Sequence, residues 1–440
     1  MKNVYPVLNK NVLLIIQPEG GIVGILGAPC EYINDIAVEI LELCDGKHTI
    51  ATISDILAEK HDEQAKRAFE LVLQFVESAV QKGHVYYASE PTEIAGTITG
   101  KKDYTVPMDV SVDITLRCDL KCIHCYSHAG SQKEVLSTQE WLEILHKIHQ
   151  AGVTKLVLTG GDPPASPDFM KILQFCAKNF FIVDIATNGY RINDELARNI
   201  AEMEKIGVIT SRLSIDGTKK THDAIRGVSG SWQKAVQAVR HLSRWGIPVS
   251  VTMTLNPQNL NDVEDVIVTA KANGASRFSA GMTLKKGRAY GKNLEITASQ
   301  KKEVAENLEQ LAQKHSTPTF KVSTWIKLFD RDVPDKKSVN CGAGYRMYSI
   351  NDKGDVKPCP SLDYYMGNLV EQSPEEIFTS PLVDFFTQLE WPTRELCGDC
   401  EHFHICTECH AAALIKSRDV EKCPWADQWV KVPKGFESPV

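Results

Sequence analysis

Between residues 108 and 290, short apolar runs of strand length alternate with longer segments in which apolar side chains recur at helical spacing. Strands that alternate with helices of about 10–15 residues form parallel sheets, because each helix carries the chain back along the sheet. The apolar runs predict strands at Val110–Thr115, Lys155–Leu158, Phe181–Ala186, Thr210–Ile215, Val249–Thr254 and Arg277–Ala280. This pattern predicts an α/β fold, a partial (β/α)6 barrel over residues 108–315, with its chemistry at the carboxyl ends of the strands.

Helix signals fill the gaps between these strands. Ser137 and Glu140 have the spacing of a capping box, as do Thr297 and Gln300. The second box opens a helix that is predicted to run to Lys314. Further helices are predicted at Asp168–Lys178, Asp194–Ile206, Ser231–Trp245 and Leu260–Asn273.

Residues 1–92 have a different pattern, which predicts a separate small domain. Two strands, Asn11–Gln17 and Gly21–Leu26, are joined by a Pro-Glu-Gly-Gly turn. Three helices and a last strand follow at Ile33–Leu41, Ile53–Glu59, Asp62–Gln81 and His84–Tyr87. This order is typical of a winged helix-turn-helix. Residues 93–107, which contain Thr, Gly, Lys and Pro, are predicted to be a linker.

Composition narrows the class of protein. A chain of 440 residues with 43% hydrophobic residues is long enough for two or three domains with sizeable cores. The net charge of −7 and the lack of a long basic run argue against nucleic acid as a partner. The longest early apolar run, Val12–Ile16, is too short for a signal peptide or a membrane span. We therefore expect a cytoplasmic protein that does not contact membranes.

The thirteen cysteines are unevenly distributed. Three lie at positions 118–125 and seven at positions 341–423, whereas Cys30, Cys44 and Cys176 are isolated and are expected to be apolar packing residues. Cysteines grouped at ligand spacing in a long chain without a signal peptide favour metal or cluster binding over disulfides.

Cys118-x3-Cys122-x2-Cys125 directly follows the first predicted barrel strand. Three thiolates are one short of the four that close a zinc site or a cubane cluster. The loop therefore predicts an iron–sulfur cluster with one open iron, or a zinc knuckle that borrows His124 or His128. Further motifs follow the later strands: Thr159-Gly160-Gly161-Asp162-Pro163, Thr187-Asn188-Gly189, Ser214-Ile215-Asp216-Gly217 and His222-Asp223-x-x-Arg226-Gly227.

The order and spacing of these motifs resemble those of the radical S-adenosylmethionine (SAM) enzymes. The resemblance implies that Cys118, Cys122 and Cys125 hold a 4Fe-4S cluster, whose open iron is chelated by SAM and whose electron cleaves SAM to a 5′-deoxyadenosyl radical. It implies SAM contacts from His124, Gly160, Gly161, Asp162, Asn188, Ser214, Asp216 and Arg226. Asp162 stands where the family has glutamate, and Arg226 is expected on the SAM carboxylate or in a helix-terminal salt bridge. No general base is assigned.

The second cysteine group, within residues 316–440, resembles the SPASM extension of radical SAM peptide-modifying enzymes. The resemblance implies two auxiliary 4Fe-4S clusters, an outer one and an inner one with an open iron that could bind a substrate thiolate. The implied ligands are Cys397, Cys400, Cys406 and Cys423 for the outer cluster and Cys341, Cys359 and Cys409 for the inner one. The family usually has three residues where this chain has two between Cys406 and Cys409. A pair of zinc sites is the alternative.

The segment Asn34–Gly46 and the helices after it resemble the PqqD-like domain, which recognises leader peptides. In that family an extended peptide adds a strand to a sheet edge. The alternatives are an oligomerisation or packing domain and, with less support because the third helix is acidic, a DNA-binding domain.

Together these resemblances cover nearly the whole chain and imply a maturase of ribosomally made peptides, of the sactipeptide or ranthipeptide type, which forms a thioether between a cysteine sulfur and a carbon of another residue. The implied cofactors are SAM and three 4Fe-4S clusters. The implied partners are a precursor peptide, with its leader on residues 1–92, and a flavodoxin-type or ferredoxin-type reductant. The alternatives are carbon–carbon crosslinking, epimerisation or formylglycine formation, and a zinc-stabilised peptide-binding scaffold.

Overall fold

The computed structural model describes residues 4–25, 30–130, 134–324, 341–406 and 409–433. Leu26, the last residue of one predicted strand, lies outside this part of the chain. Two compact units are present. The first comprises Met1–Val106 and Gln150–Val153, and the second comprises Pro107–His149 and Thr154–Val440.

The first unit contains three helices and two small sheets. The sheets have the strand orders β4-β3-β2-β6 and β1-β5. The strands are β1 (Tyr5–Leu8), β2 (Val12–Gln17), β3 (Gly20–Ile25), β4 (Glu31–Ile33), β5 (Val85–Ala88) and β6 (Thr97–Gly100). The helices are α1 (Asp35–Leu43), α2 (Ile50–His61) and α3 (Ala65–Gln81). The predicted hairpin, the three helices and the strand after them are confirmed.

The hairpin of β2 and β3 turns tightly, with Gln17 paired to Gly20 across a turn of Pro18 and Glu19. Gly20 has φ +91°, and a Cβ atom there would lie 2.1 Å from the carbonyl oxygen of Ile33 on the neighbouring strand. This position therefore requires glycine for both its backbone conformation and its close packing.

The segment 93–107, predicted as a linker, is instead partly a strand of the first unit. Strand β6 pairs in parallel with β2. Beyond it, Tyr104 and Val106 are buried. The Gln17 amide holds Val106 by donating to its carbonyl oxygen at 3.1 Å and accepting from its N–H at 3.0 Å. The linker prediction is wrong here because hydrogen bonds to distant residues order a locally featureless segment.

The second unit is built on one ten-stranded sheet with the order β13-β12-β11-β10-β9-β8-β7-β14-β15-β16. Its first six strands in chain order are mutually parallel. They are β7 (Asp109–Thr115), β8 (Lys155–Gly160), β9 (Ile182–Thr187), β10 (Val208–Ser214), β11 (Val249–Leu255) and β12 (Arg277–Met282). All six predicted barrel strands are therefore confirmed.

The helices of this sheet region are α4 (Thr138–Gln150), α5 (Phe169–Asn179), α6 (Asp194–Ala201), α7 (Lys219–Arg226), α8 (Ser231–Arg244), α9 (Val263–Ala272) and α10 (Ala298–His315). Both predicted capping boxes form: the Ser137 and Glu140 backbone N–H groups each bond the other side chain, and Thr297 and Gln300 do the same. Helix α6 ends five residues earlier than predicted, and α7 was not predicted.

The C-terminal part adds short elements at the β7 edge of the sheet. Strand β14 pairs in parallel with β7, and the next two strands continue the sheet in antiparallel fashion. Strand β13 (Lys321–Val322) instead pairs with β12 at the opposite edge. The remaining C-terminal elements are β14 (Met347–Ile350), β15 (Asp355–Lys357), β16 (Gly367–Asn368), α11 (Pro374–Phe378), α12 (Pro381–Gln388), α13 (Arg394–Cys397), α14 (Phe403–Cys406) and α15 (His410–Ser417). The β7–β14 pairing therefore connects the second cysteine-rich region to β7, the strand that precedes the Cys118–Cys125 loop.

Candidate active site

The parallel strands have one apolar face and one polar face. In β11, four buried residues alternate with the half-buried Ser250, Thr252 and Thr254. The cross-strand partners of Ser250 are Arg212 of β10 and Arg277 of β12, so the polar character continues across the sheet. Helices α8 and α9 pack on the strands. Because a parallel sheet covered on both faces would be apolar throughout, the polar face is the one that is not covered by an apolar layer.

The Cys118–Cys125 loop follows β7 and is held from two sides. On one side, the N–H groups of Lys121 and Ile123 donate to the carbonyl oxygens of Arg226 and Ile225 at 2.9 and 3.0 Å. These carbonyls belong to the last turn of α7, where they lack partners within the helix. The unpredicted helix α7 therefore fixes the loop that carries the first three cysteines.

On the other side, the turn after β12 holds the loop through Arg288. The Arg288 backbone N–H donates to the Cys125 carbonyl oxygen at 2.8 Å. The Arg288 guanidinium donates to the carbonyl oxygens of Cys122 and Ala129 at 2.8 and 2.7 Å. Arg288 was not among the predicted site residues, because a lone arginine outside any motif carries no distinguishing signal.

Gly160 and Gly161 lie where the end of β8 crosses the start of the cysteine loop. A Cβ atom at Gly160 would lie 2.2 Å from the Thr115 carbonyl oxygen, and one at Gly161 would lie 2.2 Å from that of Arg117. The N–H groups of Gly161 and Asp162 donate to these same two carbonyl oxygens at 2.7 and 2.9 Å. These two positions therefore require glycine because the backbone at the end of β8 packs directly against the backbone at the start of the cysteine loop.

Asp162 is fully buried and joins the end of β8 to the end of β9. Its Oδ1 accepts from the Thr187 hydroxyl at 2.6 Å and from the Asn188 N–H at 3.1 Å. Burial raises the pKa of Asp162 to about 6, against the lowering effect of these two hydrogen bonds. Asn188, placed by this contact, donates from Nδ2 to the Cys118 sulfur at 3.5 Å.

Asp216 and Arg226 form a buried ion pair beside the loop, with Arg226 Nε 2.6 Å from Asp216 Oδ2. Burial would raise the pKa of Asp216, but Arg226 and the nearby histidines lower it overall. Arg226 Nη1 also donates to the Cys122 sulfur at 3.6 Å. His124 Nε2 lies 3.5 Å from Asp216 Oδ2, and burial lowers the pKa of His124 to about 4. Arg226 therefore contacts both Asp216 and Cys122.

Ser214, another predicted site residue, is half-buried at the end of β10.

The surroundings of the first three cysteines fit a thiolate-bound cluster. Burial raises the pKa of Cys118 to about 12 and also raises that of Cys122. Side-chain N–H groups of Asn188 and Arg226 nevertheless point at these two sulfurs, and such donors stabilise metal-bound thiolates. Metal binding deprotonates the thiols of a site of this kind.

The seven C-terminal cysteines form two groups of thiols. Burial and then Cys409 and Cys341 raise the pKa of Cys359 to about 12. In the other group, burial raises the pKa of Cys406 to about 12, with further contributions from the thiols of Cys400, Cys423 and Cys397. Cys406 and Cys409 therefore belong to different groups, although only two residues separate them.

His410 packs against the first of these groups. It is 1% exposed, and its Nδ1 lies 3.6 Å from the Cys341 sulfur. Its ring contacts Trp391 and Trp425 at centroid distances of 5.0 and 6.0 Å. Burial lowers the pKa of His410 to about 4, so the ring is neutral at physiological pH.

Within the described residues, no three His, Cys, Asp or Glu side chains converge as ligands of a single metal ion. A cubane distributes its protein ligands over separate iron atoms, so its thiolates do not share one coordination centre.

Three domain families match the sequence in the order in which the elements occur. The Coenzyme PQQ synthesis protein D family matches residues 31–85, the Radical SAM superfamily residues 112–270, and the SPASM iron–sulfur cluster-binding domain residues 341–401. This chain is a radical SAM enzyme. The predicted α/β fold, with a radical SAM barrel between a PqqD-like domain and a SPASM domain, is confirmed, and so are the implied cofactors SAM and 4Fe-4S clusters.

Two curated proteins of Bacillus subtilis are similar to this radical SAM enzyme. The antilisterial bacteriocin subtilosin biosynthesis protein AlbA is 26% identical over 447 residues, which is 97% of each chain. The sporulation killing factor maturation protein SkfB is 29% identical over 64% of this chain and 67% of its own. Among solved structures, Streptococcus suis SuiB bound to its precursor peptide SuiA has a TM-score of 0.68 at 16% identity, covering 95% of this chain and 98% of SuiB.

None of the helices in the described part of the enzyme combines the length and the apolarity that crossing a bilayer needs.

Proposed function

We propose that this radical SAM enzyme matures a ribosomally made peptide by joining a cysteine sulfur to a carbon atom of another residue. The observation that carries the proposal is the similarity to AlbA, a bacteriocin biosynthesis protein, over 97% of both chains. SkfB, a maturation protein, and SuiB, solved with a precursor peptide, support the same class of substrate. The polar inner face of the sheet suits a peptide, whose backbone needs hydrogen-bond partners wherever it is buried.

Cys118, Cys122 and Cys125 are proposed to hold the SAM cluster. SAM and the clusters, when bound, supply a carbon-centred radical and a path for one electron. Asn188 and Arg226 stabilise the thiolates through their N–H groups, while Asp216 fixes the Arg226 guanidinium. The predicted SAM contacts of His124, Gly160, Gly161, Asp162, Asn188, Ser214, Asp216 and Arg226 stay predictions.

The two C-terminal thiol groups support the predicted division into an outer and an inner auxiliary cluster. The outer group supplies four thiolates and the inner group three. We expect a peptide cysteine to occupy the remaining position of the inner cluster, which would hold its sulfur in place and favour its thiolate form.

The leader of the precursor is proposed to bind the PqqD-like domain at the edge strand β4. Tyr32 on this strand is 64% exposed, and Ile36 in the first turn of α1 is 50% exposed. An edge strand offers backbone groups to a further strand, and neighbouring exposed apolar side chains can select the residues of the peptide. The predicted flavodoxin-type or ferredoxin-type reductant and the cytoplasmic location remain part of this proposal.

Co-expression tests the proposed reaction. The enzyme is produced with each small cysteine-containing peptide encoded beside its gene, and the peptide is analysed by mass spectrometry. We expect the loss of two hydrogens and a cysteine that no longer reacts with iodoacetamide. An unchanged mass with altered stereochemistry would indicate epimerisation, and two lost hydrogens with a free cysteine would indicate a carbon–carbon crosslink. Purified protein that contains zinc without iron would contradict the enzymatic proposal.

A further inference from the structure

Asp113 is a buried carboxylate on the polar inner face of the barrel. It lies on β7 beside Thr159 of β8 and is 5% exposed. Its Oδ1 has no hydrogen-bond partner among the described residues. Asp184, on the same face of β9 and equally buried, differs, because it accepts from the Thr210 hydroxyl at 2.9 Å and pairs with Arg212. A buried carboxylate oxygen without a donor is costly, which indicates a function other than stability.

The charged groups around Asp113 belong to three other segments. Lys286 follows β12, Lys357 ends β15, and Asp352 lies in the turn between β14 and β15. Both lysines are engaged elsewhere, since their Nζ atoms lie 2.8 and 3.4 Å from Asp363 Oδ1. Burial therefore dominates and raises the pKa of Asp113 to about 6, although the two lysines lower it and Asp352 raises it further. Such a carboxylate is mostly ionised at pH 7 and is a better proton acceptor than an exposed one.

Two neighbours of Asp113 are close in sequence to cysteines of two different groups. One is Tyr126, which directly follows Cys125 and whose hydroxyl bonds Thr159. The other is Lys357, two residues before Cys359. A peptide cysteine held near Cys359, with its acceptor carbon near the Cys118–Cys125 loop, would pass this carboxylate.

We propose that Asp113 accepts the proton of the peptide cysteine thiol as this cysteine takes up its position for thioether formation; this inference rests on the proposed function. One electron from the reduced cluster at Cys118, Cys122 and Cys125 would break the S–C5′ bond of SAM, with methionine as the leaving group. The 5′-deoxyadenosyl group would take the hydrogen atom of the C–H bond and leave as 5′-deoxyadenosine. The S–H bond would break with its proton going to Asp113, the C–S bond would form, and the one surplus electron would pass to an oxidised iron–sulfur cluster.

The test compares anaerobically purified wild-type enzyme with Asp113→Asn, Asp113→Glu and Asp184→Asn, each incubated with the cysteine-containing precursor, SAM and dithionite. The readout is the amount of thioether product per 5′-deoxyadenosine formed, measured by mass spectrometry between pH 5 and 9. We expect Asp113→Asn to lower this ratio by about 100-fold, within the usual range for loss of an acid–base group, while SAM cleavage continues. Asp113→Glu should restore part of the ratio, and Asp184→Asn should leave it within about threefold.

In the wild type the ratio should fall as the pH drops through about 6, because Asp113 is then protonated, and Asp113→Asn should lack this inflection. An unchanged ratio in Asp113→Asn, or an equal loss in Asp184→Asn, would overturn the assignment of Asp113 and leave the proposed function intact. If Asp113→Asn does not bind iron, the Asp113→Glu profile decides, because moving the carboxylate by one methylene should shift the inflection: an inflection that stays at the wild-type pH would belong to another group and would contradict the proposal. A wild-type enzyme that forms no thioether would refute the proposed function and this inference together.

Discussion

At the scale of single residues, Gly160 and Gly130 allow backbone strain to be distinguished from steric overlap when a side chain is added. They have nearly the same backbone conformation, with φ of +124° and +129°. A Cβ atom at Gly130 would meet nothing within 4 Å, whereas one at Gly160 would lie 2.2 Å from the Thr115 carbonyl oxygen. We predict that Gly160→Ala costs about 1–3 kcal/mol more in free energy of unfolding than Gly130→Ala, because only the first overpacks the base of the cysteine loop.

Chemical denaturation of both variants measures this difference. Iron content should also fall in Gly160→Ala and not in Gly130→Ala, since the cysteine loop begins at the overpacked backbone. An equal loss of stability in the two variants would show that backbone conformation alone determines the loss. It would also show that β8 does not pack tightly against the cysteine loop.

Residue identities were easier to predict than their contacts. The spacing of Cys118, Cys122 and Cys125 is local, so the sequence displays it directly. Arg226 is also part of a motif, but the sequence does not show that Asp216 and the Cys122 sulfur surround its guanidinium. Asp113 carries no motif at all, and only the register of β7 and β8 places it on the inner face.

At the scale of elements, α1 and α3 of the PqqD-like domain offer a matched pair of exposed apolar residues. Ile36 in α1 lies just after the edge strand β4, and Leu71 lies in α3; both are 50% exposed. We predict that Ile36→Asp weakens leader binding about 10- to 100-fold, because burying an apolar side chain of this size contributes about 1.5–3 kcal/mol and a carboxylate would oppose it. Fluorescence anisotropy with a labelled leader peptide measures the dissociation constant.

Leu71→Asp is the control, and it should change the dissociation constant less than about threefold. Equal weakening by both substitutions would point to general destabilisation of the domain, and no weakening by Ile36→Asp would remove the β4 edge as the leader site. The thermal stability of each variant distinguishes these results.

The elements that the sequence did not predict have identifiable causes. Helix α7 has the sequence KKTHDAIR, in which charged residues predominate, so no apolar stripe indicates a helix. Strands β6 and β14 are four residues each, and they form because they pair with β2 and β7, which are distant in sequence. Longer strands with regular alternation, such as β11, were predicted to within one residue because their periodicity is local.

At the scale of the whole molecule, the two thiol groups of the SPASM domain interleave along the chain. Only two residues separate Cys409 from Cys406, yet the Cys409 thiol lies among those of Cys341 and Cys359. A zinc ribbon would instead use such a Cys-x2-Cys pair on a single ion. We therefore predict that Cys409→Ala removes the inner cluster alone, lowering iron from about 12 to about 8 atoms per chain, since each cubane holds four.

Iron and sulfide analysis of the anaerobically purified chain, with Mössbauer spectra to count clusters, checks this prediction. Cys176→Ala is the control, because Cys176 is a buried cysteine that lies alone in α5, and the iron content of this variant should match that of the wild type. The Cys409→Ala enzyme should still cleave SAM, because its first three cysteines are unchanged, but it should form no thioether, because the peptide cysteine has lost its binding position. If Cys409→Ala kept the full iron content and the crosslinking activity, the proposed inner cluster, and with it the placement of the peptide cysteine beside Asp113, would be wrong.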